Sequence, residues 1–237
     1  MNLNAIRVVL VETSHPGNIG AAARAMKTMG LTRLYLVAPK IFPDKNATEM
    51  ASSAQDVLDA AICVDSIDEA LADTKLAFMT SARPRDIALP GLTPDEAGHQ
   101  IAAMSDDTEI ALVFGRERTG LTNEELLRGH YHIEIPTNPA YSSLNLAQAV
   151  QIIAYEVSKN IVCNTSQINK SEAALANMEQ VEQYYVHLEA ILKTIDFIKP
   201  SNPKQVMLRL RRLFNRAKLE TIEVNILRGM LTQITRT

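Results

Sequence analysis

Three short segments of this 237-residue chain combine small residues with polar groups suited to binding or catalysis. Each follows an apolar run that predicts a β-strand, so each is expected to form a loop at a strand end. Four small residues at 20–23 permit close packing of a helix, and a glycine-bounded turn at 115–120 would let a ligand approach the backbone. The functional groups in these segments are those of Asn18, Arg24, Glu117, Ser143 and Asn145.

Several well-known kinds of site are excluded by the sequence. The first predicted strand is followed by residues 12–20 without the Gly-x-Gly turn of a dinucleotide-binding fold. Residues 115–122 have the glycine spacing of a P-loop, but Leu121 stands where the phosphate-binding lysine is needed. There is no Gly-x-Ser-x-Gly elbow and no His-Glu-x-x-His motif, and the five histidines have no ligand spacing. No metal site is expected.

Taken singly, the polar groups have structural explanations. A lone arginine such as Arg24 is more often a salt-bridged surface residue than a catalytic one. Ser143 and Asn145 could serve only as helix caps, and His130 and His132 are expected to be structural or surface residues. A functional interpretation therefore depends on the order and spacing of the three segments together.

The elements around these segments predict an α/β fold. Helices are expected because Ser66, Thr93 and Thr122 each stand three residues before a glutamate, as in a capping box. Gly30 is placed to end a helix that begins near Gly17. Apolar runs too continuous for a half-exposed antiparallel sheet predict mostly parallel strands at 6–11, 33–37, 75–80, 109–114 and 131–135.

The composition indicates an ordinary globular protein. With 46% hydrophobic and 22% charged residues, the chain does not resemble a disordered, collagenous or membrane protein. The longest charge-free stretch, 135–155, holds too many polar groups for a bilayer span, and the first residues lack the basic region of a signal peptide. Cys63 and Cys163 belong to no disulfide or zinc motif. A cytoplasmic location is expected.

The C-terminal part differs from the rest in charge. Residues 1–160 carry 13 basic and 20 acidic side chains, whereas residues 161–237 carry 11 and 7. A helix predicted over 146–160 is followed by polar residues without periodicity, which indicate a linker. The sequence therefore predicts a first domain at 1–162, a linker at 163–170 and a helical unit at 171–237.

Within the helical unit, apolar residues recur at intervals of three and four from Met178 to Ile195 and predict a helix whose apolar seam needs a partner. Two shorter helices are expected around 203–217 and 220–234. Residues 204–218 carry six positive charges and no acidic residue. Such a run is either a solvated helix face or a surface that binds phosphate groups.

In their order and spacing, the three segments resemble the three motifs of the TrmH family of SPOUT methyltransferases. The matching patterns are Asn-x-Gly-x-x-x-Arg from Asn18, Phe-Gly-x-Glu-x-x-Gly-Leu from Phe114, and Ile135-Pro136 followed by Ser-Leu-Asn-Leu-Ala-x-Ala from Ser143. The resemblance covers about residues 4–160. It implies an α/β SPOUT domain with a parallel sheet and a C-terminal deep trefoil knot, an exception to the rule that chains are unknotted, followed here by a small all-α extension.

The resemblance also assigns roles to individual residues. S-adenosylmethionine (AdoMet) would be held, mostly by backbone groups, at Thr80, Ser81, Ala82, Gly115, Ile135, Ser142, Ser143 and Leu144. Arg24 matches the catalytic arginine of the family, and its companions in the site would be Asn18, Glu117, Ser143 and Asn145. Contacts with RNA phosphates are expected from Arg83, Arg85, Lys204, Arg209, Arg211, Arg212 and Arg216. The implied assembly is a homodimer whose site is built from both chains.

The implied reaction is methylation of a ribose 2′-hydroxyl in tRNA, at cytidine or uridine 32 of the anticodon loop. Because a guanidinium is a poor base, Arg24 either loses its proton in a desolvated site or stays charged and stabilises the alkoxide. The alternatives are a relative acting on ribosomal RNA or another tRNA nucleotide, an RNA-binding module with residues 17–20 as a backbone clamp, and a flavodoxin-like binder of small ligands. Neither DNA nor a membrane is an expected partner.

Overall fold

The centre of the protein is a seven-stranded sheet. A computed structural model describes residues 1–81, 89–163, 174–198 and 203–234. The strands are β1 (Ile6–Val11), β2 (Arg33–Val37), β3 (Ile62–Val64), β4 (Leu76–Thr80), β5 (Gly91–Leu92), β6 (Ile110–Phe114) and β7 (Tyr131–Ile133). They pair in parallel in the order β3-β2-β1-β6-β4-β7-β5. The prediction of an α/β fold with a parallel sheet is confirmed.

Ten α-helices lie in the described residues. They are α1 (Pro16–Thr28), α2 (Lys45–Ala51), α3 (Gln55–Asp59), α4 (Ile67–Leu71), α5 (Pro94–Ala102), α6 (Asn123–Leu126), α7 (Leu146–Cys163), α8 (Met178–Thr194), α9 (Pro203–Ala217) and α10 (Thr221–Ile234). Thr93 and Thr122 form complete capping boxes, as predicted. Within the described ranges, no helix has the length and hydropathy that crossing a membrane requires.

All five predicted strands are present, but the sequence patterns missed β3 and β5. Both are short strands at opposite edges of the sheet, and the residues of β3 are exposed or half-buried. Without a continuous buried run they carry no strong strand pattern. One consequence is that Thr80 ends the fourth strand along the chain, whereas the sequence placed it at the end of the third.

Small residues allow the helices on one face of the sheet to approach one another closely. α1 packs against α2 and α7, and α7 packs against α5. A Cβ atom at Gly20 would lie 2.0 Å from the carbonyl oxygen of Ala47 on α2, and one at Gly98 would lie 2.6 Å from that of Glu156 on α7. These two glycines are therefore required by helix packing.

The last three helices share a separate hydrophobic cluster, which includes Tyr184, Tyr185, Leu188 and Ile191 of α8. The predicted seam of α8 extends too far, because Ile195 follows the helix end and is 49% exposed. A backbone hydrogen bond joins the start of α8 to the sheet region: the amide of Met178 donates to the carbonyl oxygen of Thr74 at 2.6 Å.

Candidate active site

A cavity opens at the carboxyl ends of the adjacent strands β6, β4 and β7. Ligands of open parallel sheets bind at this end because the connecting loops converge there. Of the eight residues that the resemblance assigned to a cofactor, seven line this cavity: Thr80, Ser81, Gly115, Ile135, Ser142, Ser143 and Leu144. The eighth, Ala82, lies outside the described residues.

The cavity wall is chemically suited to a nucleoside-like molecule. Ile133, Ile135 and Leu144 supply aliphatic surface, while Thr80 and Ser142 supply hydroxyl groups and backbone polar atoms. Pockets that combine apolar walls with a few polar groups are typical of small-molecule sites. The residues present thus fit the adenosyl group of AdoMet. Among the described residues, no three His, Cys, Asp or Glu side chains are grouped as a metal ion would require.

One wall of the cavity is the turn from Gly115 to Gly120, which is held in a tight conformation. A Cβ at Gly115 would lie 2.3 Å from the carbonyl carbon of Gly120, so only glycine fits. The amide of Gly120 donates to the carbonyl oxygen of Arg116 at 2.9 Å, and Gly120 has a φ of +67°, which favours glycine.

Arg116 anchors this turn, although no sequence pattern singled it out. Its guanidinium pairs with Glu12 at the end of β1 and with both carboxylate oxygens of Glu125 on α6, at 2.9 and 3.0 Å. Together with Lys40, it lowers the pKa of Glu12 to about 2. Burial raises the pKa of Glu125, but the hydrogen bonds from Arg116 and Thr122 keep it below its usual value. Both carboxylates are therefore charged at neutral pH.

Glu117, in the same turn, is tied to the start of α1. Its carboxylate accepts hydrogen bonds from the amide of Ser14 at 3.1 Å, the amide of His15 at 3.2 Å and Nδ2 of Asn18 at 3.0 Å. Partial burial raises the pKa of Glu117, yet these hydrogen bonds and its own amide outweigh that effect and lower it. A charged Glu117 thus fixes the orientation of Asn18.

Asn18 in turn contacts the third segment. Its Oδ1 accepts a hydrogen bond from Nδ2 of Asn145 at 2.9 Å. Asn145 also caps α7, because its Oδ1 accepts from the amide of Ala147 at 2.9 Å. The three sequence segments therefore meet through one continuous set of side-chain hydrogen bonds, from Glu117 through Asn18 to Asn145.

Arg24 is placed differently from the other predicted catalytic residues. It lies on the exposed side of α1 and is not part of the cavity wall, whereas Ser143 and Glu117 are. The structure thus joins Asn18 to Glu117 and Asn145 by hydrogen bonds and places Glu117 and Ser143 in the cavity wall, whereas Arg24 has neither relationship.

The arginines predicted to bind RNA fall into different environments. Arg209, Arg212 and Arg216 are exposed on α9. Arg211 is largely buried, pairs with both carboxylate oxygens of Glu182 at 2.5 Å and lies 4.4 Å from the centre of the Tyr185 ring. Arg83, Arg85 and the side chain of Lys204 lie outside the described part of the chain.

Comparison with known proteins places this chain in a family. The model of the SpoU rRNA Methylase family matches residues 5–155, which include all three segments. The chain belongs to this family. A second model, that of the C-terminal domain of the tRNA methyltransferase TrmJ, matches residues 179–237.

Individual proteins similar to this SpoU family member support the same family assignment. The tRNA (cytidine/uridine-2′-O-)-methyltransferase TrmJ of Yersinia enterocolitica is 51% identical over 98% of this chain and 92% of its own. The crystal structure of TrmJ from Z. mobilis has a TM-score of 0.87 and 33% identity, covering 97% of this chain and 98% of that one. A structure concerned with the 2-OH methylation of C/U34 on tRNA has a TM-score of 0.55 and 26% identity, covering 67% and 97%. The resemblance drawn from the motifs is confirmed, and the protein is a methyltransferase.

Proposed function

We propose that this protein transfers the methyl group of AdoMet to the ribose 2′-hydroxyl of nucleotide 32, a cytidine or uridine, in the anticodon loop of tRNA. The observation that carries the proposal is the set of hydrogen bonds from Glu117 through Asn18 to Asn145 beside the cavity. The names of its relatives, which act on tRNA ribose, support the substrate class. With tRNA as substrate, we place the enzyme in the cytoplasm.

The cavity residues would hold the cofactor. AdoMet supplies a methyl group activated by its sulfonium. Backbone groups of Thr80, Ser81, Ala82 and Gly115 and the 142–144 loop would bind its polar parts, and Ile135 and Leu144 would cover the adenine ring. We further propose that the chain from β7 into α7 threads a loop to form the deep trefoil knot of SPOUT domains.

We propose a homodimer in which the active site combines the cavity of one chain with Arg24 of the partner subunit. Within one chain, Arg24 is exposed on α1 and lies outside the cavity wall. α1 packs beside α7, whose Tyr155 and Val162 are 50% and 66% exposed. A symmetric contact through this face would bury both apolar side chains and carry Arg24 toward the second chain.

The side chains have separate tasks in the proposed reaction. Transfer needs the 2′-oxygen in line with the methyl group, so its position must be fixed before reaction. Asn18 and Asn145 would position the ribose, Glu117 would hold Asn18, and Ser143 would line the path between cofactor and ribose. Because a guanidinium is a poor base, we assign Arg24 to stabilising the developing alkoxide, and the proton of the 2′-hydroxyl passes to solvent water.

We propose that the C-terminal unit binds the tRNA. Arg209, Arg212 and Arg216 form an exposed basic row on α9, suited to sequence-independent phosphate contacts. Arg83, Arg85 and Lys204 would make further phosphate contacts. In this proposal, the methyltransferase domain spans 1–162, the linker 163–170 and the tRNA-binding unit 171–237.

The proposal is tested by incubating the protein with labelled AdoMet and total tRNA and mapping 2′-O-methyl groups by their resistance to alkaline cleavage. A new methyl group at nucleotide 32 is the expected result. The structure concerned with C/U34 covers 67% of this chain, so position 34 is the alternative outcome that the mapping must distinguish. Methylation at position 34, in ribosomal RNA alone or nowhere would contradict the proposal.

A further inference from the structure

Asn215 on α9 is a buried polar residue that belongs to neither the cavity nor the basic row. Its side chain is 3% exposed. Nδ2 donates to the carbonyl oxygens of Leu127 at 2.8 Å and Gly129 at 2.9 Å, and Oδ1 accepts from the hydroxyl of Tyr185 at 2.6 Å. All the polar atoms of this amide are therefore used, which fixes its orientation.

The two carbonyl groups belong to the turn that leads into β7. This turn packs closely on the sheet, because a Cβ at Gly129 would lie 2.1 Å from Cγ of Met79 on β4. His130, the next residue, exchanges hydrogen bonds with the backbone of Ala77: its amide donates at 2.8 Å and its Nδ1 accepts at 3.2 Å. Asn215 thus supplies hydrogen-bond donors to two carbonyl groups of a buried turn next to the sheet.

A second contact from the end of α9 reaches the strand itself. Nζ of Lys218 lies 5.0 Å from the centre of the Tyr131 ring, at the first residue of β7. Two residues later, Ile133 lines the cavity, followed by Ile135. The wall of the cavity and the C-terminal helices are therefore joined through a few residues of one strand.

We propose that Asn215 is a positioning residue for the cofactor, through which the C-terminal helices hold β7 and its cavity residues in the conformation that binds AdoMet. This inference rests on the proposed function, since it concerns the same cavity. Without the two donated hydrogen bonds, the buried carbonyls of Leu127 and Gly129 would lose their partner, and the turn would move to find others. Ile133 and Ile135 would move with it.

The test compares binding of S-adenosylhomocysteine and of tRNA. Asn215→Asp keeps the size of the side chain but places an acceptor against both carbonyl groups, and Asn215→Ser removes the amide without adding a charge. We expect Asn215→Asp to raise the Kd for S-adenosylhomocysteine in calorimetry about tenfold, and Asn215→Ser to raise it less. The Kd for tRNA, measured without cofactor, should change less than about twofold, because the arginines of α9 remain.

A matched control distinguishes positioning of the cofactor cavity by Asn215 from a general effect of weakened packing among the C-terminal helices. Val224→Ala weakens the same C-terminal cluster from α10 without touching the turn, so it should leave the affinity for S-adenosylhomocysteine unchanged. Weaker tRNA binding with unchanged S-adenosylhomocysteine binding in the Asn215 variants would overturn the inference, as would an equal loss in Val224→Ala. If Asn215→Asp failed to fold, Asn215→Ser would decide. A wild-type protein that bound no S-adenosylhomocysteine would instead overturn the proposed function.

Discussion

Asn18 and Asn145, 127 positions apart, are joined side chain to side chain, with Nδ2 of Asn145 donating to Oδ1 of Asn18 at 2.9 Å. Glu117 accepts from the other end of the Asn18 amide at 3.0 Å. An amide that donates at one end and accepts at the other has a single favourable orientation. These hydrogen bonds thereby hold three elements in a fixed arrangement: the start of α1, the turn after β6 and the start of α7.

The first prediction concerns this contact. Asn145→Asp keeps the cap on α7 but places an acceptor against Oδ1 of Asn18, so kcat should fall about 10- to 100-fold with little change in stability. Asn145→Ala should reduce kcat similarly and also lower the free energy of unfolding by about 1 kcal/mol, because the cap is lost. Methyl transfer and urea unfolding measure the two effects. Full activity in Asn145→Asp would contradict a positioning role.

The second prediction concerns Arg24. Arg24→Ala should abolish methylation yet leave binding of S-adenosylhomocysteine nearly unchanged, because Arg24 is not part of the cavity wall. Loss of both methylation and S-adenosylhomocysteine binding would indicate that Arg24 has a structural role.

A corollary of the second prediction is complementation within the proposed dimer. Leu144→Trp should fill the cavity and abolish cofactor binding while leaving Arg24 in place. When this variant is mixed and reassembled with Arg24→Ala, half of the dimers contain one intact composite site, which restores about a quarter of wild-type activity. No activity in the mixture would show that each chain uses its own Arg24.

The third prediction separates two neighbouring arginines of α9. Arg212→Ala should reduce the slope of log Kd for tRNA against log salt by about 0.7–0.9 without affecting stability, because Arg212 is exposed. Arg211→Ala should instead lower the free energy of unfolding by about 1 kcal/mol or more, since Glu182 loses its partner and Tyr185 its stacked cation. A lower stability in Arg212→Ala together with a reduced salt slope in Arg211→Ala would contradict this assignment of the RNA-binding surface.

The fourth prediction is a pH dependence from His130. Burial, with a smaller effect of Lys218, lowers the pKa of this buried imidazole to about 4. Between about pH 6.5 and 4, His130 binds a proton in the unfolded chain but not in the folded chain. The free energy of unfolding is therefore highest above pH 6.5 and falls as the pH is lowered, by at most about 1.4 kcal/mol per pH unit. Urea unfolding at pH 7 and 5.5 should show a smaller difference for His130→Gln than for the wild type. Equal differences in the two proteins would mean that His130 is not the group responsible.

Much of the fold was predictable because the signals are local. β1 and β2 have the predicted bounds, since four consecutive apolar residues in each, at 8–11 and 34–37, are sufficient to indicate a buried strand. β5 was not predictable, because its two residues acquire strand geometry only by pairing with β7. The role of Arg116 was hidden for a similar reason, since its partner Glu12 lies 104 positions away.

The sequence by itself determined the alternation of strands and helices, the residues that cap the helices and the groups that gather at the carboxyl end of the sheet. Only the tertiary structure decided that Arg24 is exposed and does not line the cavity of its own chain, that Arg211 is paired and largely buried while Arg212 is exposed, and that Asn215 donates to the turn before β7. The physical reason is that periodicity and capping depend on neighbours within a few positions, whereas burial and pairing depend on residues brought together from distant parts of the chain.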